Sequence, residues 1–164
     1  MENRTLPATL LVVDDNTDNL RVVGSILKEH HYKIAFAMSA KEALQVLEHT
    51  PVDLILLDIM MPVMDGYELC TILKANKKFA EIPIIFLTAR AQTDDIVNGF
   101  RKGGVDYVTK PYRQEELICR VQTHIELKIA RDIIKKQAKD LKESNRFILR
   151  TLHQFGNLNF PSKL

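Results

Sequence analysis

Acidic side chains follow two of the apolar runs in this 164-residue chain. Asp14 and Asp15 come directly after the aliphatic residues 10–13, and Asp58 ends the run that begins at Leu54. Four consecutive aliphatic residues indicate a strand that is buried on both faces, as in a parallel sheet. The carboxyl ends of parallel strands lie at one edge, where open α/β sheets bind their ligands. We therefore expect the three carboxylates to lie close together.

Two further polar residues belong to the same predicted edge. Thr88 ends the apolar run of residues 83–87, and Lys110 follows the short run Tyr107-Val108. Carboxylates that lie close together repel each other, so a cation must stabilise their charged forms. Oxygen ligands in a site open to water suit Mg²⁺, and a lysine ammonium suits a phosphoryl oxygen. A carboxylate nucleophile with a metal, a lysine and a hydroxyl is a set that can form an aspartyl phosphate.

The elements that carry these residues alternate between strand and helix patterns. Each of the first four predicted strands is followed by a segment with apolar residues at three- and four-residue spacing. Ser39 and Glu42 have the spacing of a capping box at the start of the second helix. The third helix is expected to bury Leu69, Ile72 and Leu73. Such alternation predicts an α/β domain of about 120 residues with right-handed crossovers.

Over residues 8–125 the sequence resembles the receiver domain of bacterial two-component response regulators. The resemblance rests on motifs in the family's order and spacing: Val13-Asp14-Asp15, Asp58 with Met61-Pro62-Val63-Met64-Asp65-Gly66 beyond it, Thr88-Ala89, and Asp106-Tyr107-Val108-Thr109-Lys110-Pro111. It implies a flavodoxin-like, doubly wound, five-stranded parallel sheet of strand order 2-1-3-4-5 with five helices. The absence of any glycine or proline between Leu117 and about Leu152 predicts that the last helix is extended.

The resemblance implies a phosphoacceptor and a magnesium site. Asp58 would accept the phosphoryl group. Mg²⁺ would be bound by side chains and one backbone carbonyl: Asp14, Asp15, Asp58 and the carbonyl of Met60. In this arrangement Asp15 binds the metal directly, whereas Asp14 acts either directly or through water.

The resemblance also implies how the phosphoryl group is held and sensed. Lys110 would contact the phosphoryl group, and Thr88 would turn toward it. Tyr107 would then rotate into the space that Thr88 leaves, and Ala89, being small, would keep the approach open. Structural roles are implied for three residues: Pro62, Gly66 and Pro111, the last with a cis Lys110-Pro111 bond.

The implied function is a conformational switch in a phosphorelay. A partner histidine kinase or phosphotransfer protein would supply the phosphoryl group, and the domain would catalyse only its own phosphorylation and dephosphorylation. An N-terminal receiver fragment of a longer kinase or cyclic-nucleotide signalling enzyme is the alternative. A haloacid-dehalogenase-type phosphatase is a remote alternative. Such enzymes have Asp-x-Asp where this chain has Asp14-Asp15-Asn16, and the amide of Asn16 cannot transfer the proton that the second aspartate donates.

The composition is that of a globular cytoplasmic protein. No apolar run approaches the roughly 18 residues of a membrane helix, and the first residues contain no apolar signal core. Cys70 and Cys119 have no paired spacing and fit helical patterns, so both are expected to be reduced and partly buried. We expect a cytoplasmic location and no contact with a membrane.

The segment after the sheet differs in charge from the rest of the chain. Residues 113–150 carry ten Lys and Arg residues against six acidic ones. Because no aromatic residue lies between Tyr112 and Phe147 to stack on bases, direct nucleic-acid binding is not expected. The predicted organisation is a flexible N-terminus, a receiver domain, a helical extension and a tail, at residues 1–7, 8–125, 126–153 and 154–164.

A seven-residue repeat in the extension predicts a coiled coil. Apolar residues recur at one position of the repeat: Leu127, Ile134, Leu141, Ile148 and Phe155. The companion position carries a mixed set: Arg131, Ala138, Asn145 and Leu152. A polar Asn at this position favours a defined register and two strands. We therefore expect a parallel homodimer, and the alternative is a single amphipathic helix that folds back on the receiver or meets another domain.

Overall fold

The structure is a computed structural model that describes residues 7–89 and 93–156, with residues 93–96 described by their backbone alone. Within these residues five strands alternate with five helices. They are β1 (Thr9–Val13), α1 (Thr17–Glu29), β2 (Lys33–Ala37), α2 (Ala40–His49), β3 (Leu54–Asp58), α3 (Gly66–Ala75), β4 (Ile84–Thr88), α4 (Thr93–Arg101), β5 (Asp106–Thr109) and α5 (Gln114–Gly156). The strands pair in parallel in the order β2-β1-β3-β4-β5. The predicted flavodoxin-like sheet is confirmed.

The two central strands are covered on both faces. All five residues of β3 and all five of β4 are buried, and the aliphatic side chains of β3 are at most 1% exposed. Burying one Leu or Ile side chain contributes about 1.5–3 kcal/mol, so the sheet centre supplies much of the hydrophobic stabilisation. The close packing of these strands therefore restricts the positions of the polar residues at their ends.

Side-chain caps begin the helices that follow β2 and β3. Asp65 accepts a hydrogen bond from the Glu68 amide at 2.8 Å, and Glu68 accepts one from the Asp65 amide at 2.9 Å, which completes a capping box for α3. At α2, Ser39 accepts from the Glu42 amide as predicted. The Glu42 carboxylate, however, accepts from the amide of Met38 rather than from that of Ser39. The helix still gains both hydrogen bonds.

Two expectations about packing are wrong. Ile72 is 42% exposed, because the buried stripe of α3 runs through Gly66, Leu69, Cys70 and Leu73 and leaves Ile72 beside it. Cys119 is exposed on α5, whereas Cys70 is buried as expected. In both helices the three- and four-residue spacing of apolar residues identified the buried face but not its exact width.

Helix α5 crosses the boundary between two compact units, which falls between Lys128 and Ile129. In the first unit the apolar residues Leu117, Val121 and Ile125 of α5 are buried. Residues 1–6 and 157–164, and with them most of the predicted N-terminus and tail, lie outside the described residues. No helix in the described part of the chain is long and apolar enough to cross a membrane.

Candidate phosphoacceptor and metal site

Strand register places the acidic residues side by side. Val13 of β1 pairs with Leu57 of β3, so Asp14 and Asp58 follow at neighbouring strand ends. Carboxylate oxygens of Asp14, Asp15 and Asp58 all lie within 4.8 Å of one another. Asp14 and Asp58 are 1% and 4% exposed, whereas Asp15 is exposed. The strand pattern of the sequence therefore predicted correctly that these three carboxylates lie together.

The backbone of β5 delivers Lys110 to this cluster. Thr88 pairs with Thr109, and one residue further the Lys110 amide donates a hydrogen bond to the Thr88 carbonyl at 2.8 Å. The Lys110 ammonium then donates to Asp14 Oδ2 at 2.7 Å and to Asp58 Oδ1 at 3.1 Å. Lys110 thus bridges the two buried carboxylates, and the three acidic groups retain a net excess of negative charge.

The electrostatics of the site follow from burial and from this pairing. Burial raises the pKa of Asp58 above its ordinary range, and the charge of Asp14 raises it further, although Lys110 acts against both. Burial alone would lower the pKa of Lys110, but the hydrogen bond to Asp14 and the charge of Asp58 raise it overall. The lysine therefore stays charged, and its charge compensates only part of the repulsion.

The donor set fits Mg²⁺. Two ligands of one Mg²⁺ ion are about 3–4 Å apart in octahedral geometry, so these carboxylates need to move together only slightly. Their excess negative charge favours a divalent cation, and the exposed Asp15 leaves room for bound water. The residues that would hold the ion are Asp15, Asp58 and Asp14. Hard oxygen ligands of this kind disfavour a soft metal such as copper(I).

Asn19 is a site residue that the sequence analysis missed. Its side-chain amide donates to Asp14 Oδ1 at 3.1 Å and to Asp14 Oδ2 at 3.0 Å, while the Asn16 amide donates to Oδ1 at 2.9 Å. These bonds fix the Asp14 carboxylate in one orientation. The signal was present in the sequence, because Asn16 caps α1 and the first turn of the helix brings the residue three positions later over the end of β1.

The loop after β3 presents the remaining predicted ligand. Met60, whose backbone carbonyl was expected to bind the metal, is 76% exposed, and Pro62 is also exposed. Gly66 closes the loop: its amide donates to the Ile59 carbonyl at 2.9 Å. A Cβ at Gly66 would overlap the carbonyl oxygen of Asp58. Glycine at this position therefore lets α3 start directly against the phosphoacceptor strand.

The predicted switch residues lie on β4 and β5. Thr88 is 6% exposed, and Ala89 beyond it is exposed. Tyr107 is half-buried and packs edge-on against Phe100, with ring centroids 6.3 Å apart. The guanidinium of Arg120 lies 5.5 Å from the centre of the Tyr107 ring. Tyr107 is thus held by an aromatic ring and a cation rather than turned fully into the core.

Ion pairs fix the arginine that covers Tyr107. Arg120 donates to Asp106 at 2.6 Å and to Glu116 at 3.0 Å. Asp106 also accepts from His124 at 3.0 Å. Burial alone would raise the pKa of Asp106, but these hydrogen bonds lower it overall. The cis Lys110-Pro111 bond that the resemblance implied is also present, and Pro111 is exposed.

Comparison with known proteins identifies the family. The family model described as the response regulator receiver domain matches residues 10–122. The chain belongs to this family. Receiver domains are phosphoacceptor switches that interact with histidine kinases or phosphotransfer proteins.

Three individual proteins show how far the similarity extends. A probable cyclic di-GMP phosphodiesterase of Vibrio cholerae is 43% identical over 79% of this chain and 29% of its own length. The transcriptional regulatory protein YvrH of Bacillus subtilis is 40% identical over 76% of this chain and 50% of its own length. This chain thus spans half or less of the length of both. Among solved structures, the receiver domain of a sensor histidine kinase from Pseudomonas aeruginosa, with magnesium coordinated in its active-site cleft, has a TM-score of 0.68. It is 32% identical and covers 73% of this chain and 98% of its own.

We expect Mg²⁺ to bind this receiver domain through Asp15. Replacing Asp15 by Asn removes an exposed ligand charge and should weaken Mg²⁺ binding at least about tenfold in a calorimetric titration. The control is Asp18→Asn, which removes the same charge from an exposed aspartate that lies outside the cluster. Equal weakening in both variants would show a long-range charge effect and contradict direct coordination.

Proposed function

We propose that Asp58 accepts a phosphoryl group from a phosphohistidine of a partner histidine kinase or phosphotransfer protein. The observation that carries the proposal is the contact between the buried Asp58 carboxylate and the Lys110 ammonium at 3.1 Å, beside a cluster that fits Mg²⁺. Family membership supports the same role. A carboxylate of raised pKa next to a fixed cation is suited to attack phosphorus, because the cation balances the charge that moves onto the phosphoryl oxygens.

Phosphoryl transfer to Asp58 exchanges one bond to phosphorus for another. An Asp58 oxygen forms a bond to phosphorus as the bond from phosphorus to the donor's imidazole nitrogen breaks, and the imidazole leaves with the bonding electron pair. Lys110 and the Thr88 hydroxyl contact the transferred oxygens. Mg²⁺, which Asp14, Asp15 and Asp58 would hold, would supply further positive charge for the transfer. The domain later hydrolyses its own aspartyl phosphate, so its chemistry resets the switch.

The conformational response passes through the end of β4. Because the Lys110 amide is bonded to the Thr88 carbonyl, the residue that contacts the phosphoryl group and the residue that senses it share one backbone link. Thr88 turns toward the phosphoryl group, Ala89 leaves that space open, and Tyr107 rotates into the gap. Rotation would release Tyr107 from Phe100 and Arg120, which changes the surface formed by α4, β5 and α5.

The extension of α5 supplies a route to an output. Its five repeat positions remain exposed, from 50% for Ile148 to 65% for Ile134. A parallel coiled-coil homodimer would bury this seam and hold two receivers side by side. Exposed apolar residues also lie outside the seam: Ile133, Phe147 and Leu149. They lie outside the contact that the seven-residue repeat predicts.

A second candidate function follows from one relative. The Vibrio cholerae protein named as a probable cyclic di-GMP phosphodiesterase matches 79% of this chain, and the matched part is less than a third of its length. This supports the alternative in which the receiver regulates a cyclic-nucleotide signalling enzyme that is joined through α5. In that case phosphorylation of Asp58 changes the activity of a catalytic domain rather than the binding of a separate target.

Phosphorylation tests the proposal directly. With Mg²⁺ and acetyl phosphate, mass spectrometry should show one added phosphoryl group, located on Asp58. Asp58→Asn should gain none, because an amide is a poor nucleophile. Asp65→Asn is the matched control, since Asn preserves the helix cap of α3, and it should be labelled like the wild type. Labelling of Asp58→Asn to the wild-type extent would refute the assignment.

Dimerisation is tested on the extension itself. Light scattering at micromolar concentration should give the mass of a dimer. Leu141→Lys puts a charge into the seam and should weaken dimerisation at least about tenfold, because an unpaired charge is then buried. Phe147→Lys changes an equally exposed apolar residue outside the seam and should leave the dimer intact. A monomeric wild type, or equal effects of both variants, would contradict the coiled coil.

A further inference from the structure

The hydroxyl of Tyr112 is a buried polar group beside the phosphoacceptor site. Tyr112 is half-buried and lies two residues beyond Lys110. Its hydroxyl oxygen is shielded from solvent, and among the described residues no atom lies in hydrogen-bonding position to it. Buried hydroxyls almost always have a partner, because a hydroxyl that leaves water without one is unfavourable. An orphaned hydroxyl at this place therefore requires an explanation.

Charged groups of the site lie near this hydroxyl. Burial raises the pKa of Tyr112 to about 12, while the Lys110 ammonium lowers it and the charges of Asp14 and Asp58 raise it. All three charged groups are thus close to the phenol, and Lys110 is near enough to act on the hydroxyl itself, although no regular hydrogen bond is formed. At neutral pH the phenol is protonated, so its oxygen can both donate one hydrogen bond and accept others.

The two carboxylates engage only two of the three N–H donors of Lys110. An ammonium group carries three N–H donors, and Lys110 uses one toward Asp14 and one toward Asp58. Once Asp58 is an acyl phosphate, its carboxyl group no longer carries the charge that holds the ammonium. Binding of a metal ion at Asp14 would weaken the second contact in the same way. The lysine must then turn toward the phosphoryl oxygens without leaving the site.

We propose that Tyr112 is a positioning residue for Lys110, whose third N–H its phenol oxygen accepts during phosphoryl transfer. A small rotation of either side chain makes the bond, which satisfies the orphaned hydroxyl and restricts the ammonium to the side of the site where the phosphoryl group lies. The inference rests on the proposed role of Asp58 as phosphoacceptor.

A packing role makes a different prediction from a positioning role. Tyr112→Phe retains the ring and removes only the hydroxyl. If the hydroxyl is unpartnered in the resting state, its removal leaves the thermal unfolding midpoint unchanged or raises it. If the hydroxyl positions Lys110, the same change slows phosphoryl transfer. Slower transfer without lost stability is therefore the signature of positioning.

The experiment measures phosphorylation of the full chain by acetyl phosphate over a range of Mg²⁺ concentrations. The expected result for Tyr112→Phe is a maximal rate lower by about fivefold or more, as for a lost hydrogen bond to a charged group. The Mg²⁺ concentration for half-maximal rate should stay within about twofold of the wild type, because Tyr112 acts on Lys110 rather than on the metal ligands. Tyr32→Phe is the matched control, since Tyr32 is also half-buried but precedes β2, at the opposite edge of the sheet. It should behave as wild type.

Three outcomes overturn the inference: an unchanged maximal rate in Tyr112→Phe, a lowered unfolding midpoint that accounts for the lost rate, or a rise in the Mg²⁺ requirement as the main effect. The wild type and Asp58→Asn are measured in the same series. Absence of labelling on Asp58 in the wild type would refute the proposed function itself. Normal labelling of the wild type with a normal Tyr112→Phe would refute only the role of Tyr112.

Discussion

The repulsion between three carboxylates at one sheet edge is the constraint around which this domain is built. Asp14 and Asp58 are buried at neighbouring strand ends, and Asp15 lies beside them. Lys110 bridges the two buried groups but cannot compensate three negative charges. Asn19 orients one of these carboxylates, and a divalent cation would stabilise all three. This excess of negative charge is what makes the site suited to Mg²⁺.

The rest of the fold keeps these groups in place and connects them to a surface. Completely buried strands hold the charged residues with little freedom to separate, because a close-packed core resists such movement. The backbone bond from Lys110 to Thr88 links the charged cluster to β4, and Tyr107 lies on the neighbouring strand. Arg120, which lies over the ring of Tyr107, belongs to α5. Strand pairing and the contact between Tyr107 and Arg120 thus join the strand ends at the cluster to α5.

Much of this arrangement could be predicted from the sequence. The aliphatic run of residues 54–57 identified a doubly covered strand, and the polar residues at successive strand ends then had to share an edge. The predictions that were wrong concern side chains whose burial depends on contacts with other helices and strands. The positions of Ile72 and Cys119 are set by how wide a face each helix buries, which spacing alone does not give. The helix cap at Asn16 could have indicated the contact of Asn19 with Asp14. The orphaned hydroxyl of Tyr112, however, is set by side-chain orientation at the site, which no periodicity in the sequence encodes.

The most direct test of this account is the thermal unfolding of the metal-free protein, with Asp58→Asn compared with the wild type at neutral pH. Because the pKa of Asp58 is raised in the folded protein, its charge destabilises the fold, and removing that charge should raise the unfolding midpoint. A gain of about 1 kcal/mol corresponds to roughly 2–4 °C for a chain of this size. Mg²⁺ should then raise the midpoint of the wild type more than that of the variant. A lower midpoint for metal-free Asp58→Asn, with an unchanged Mg²⁺ effect, would show that the cluster is not under electrostatic repulsion and would contradict the account.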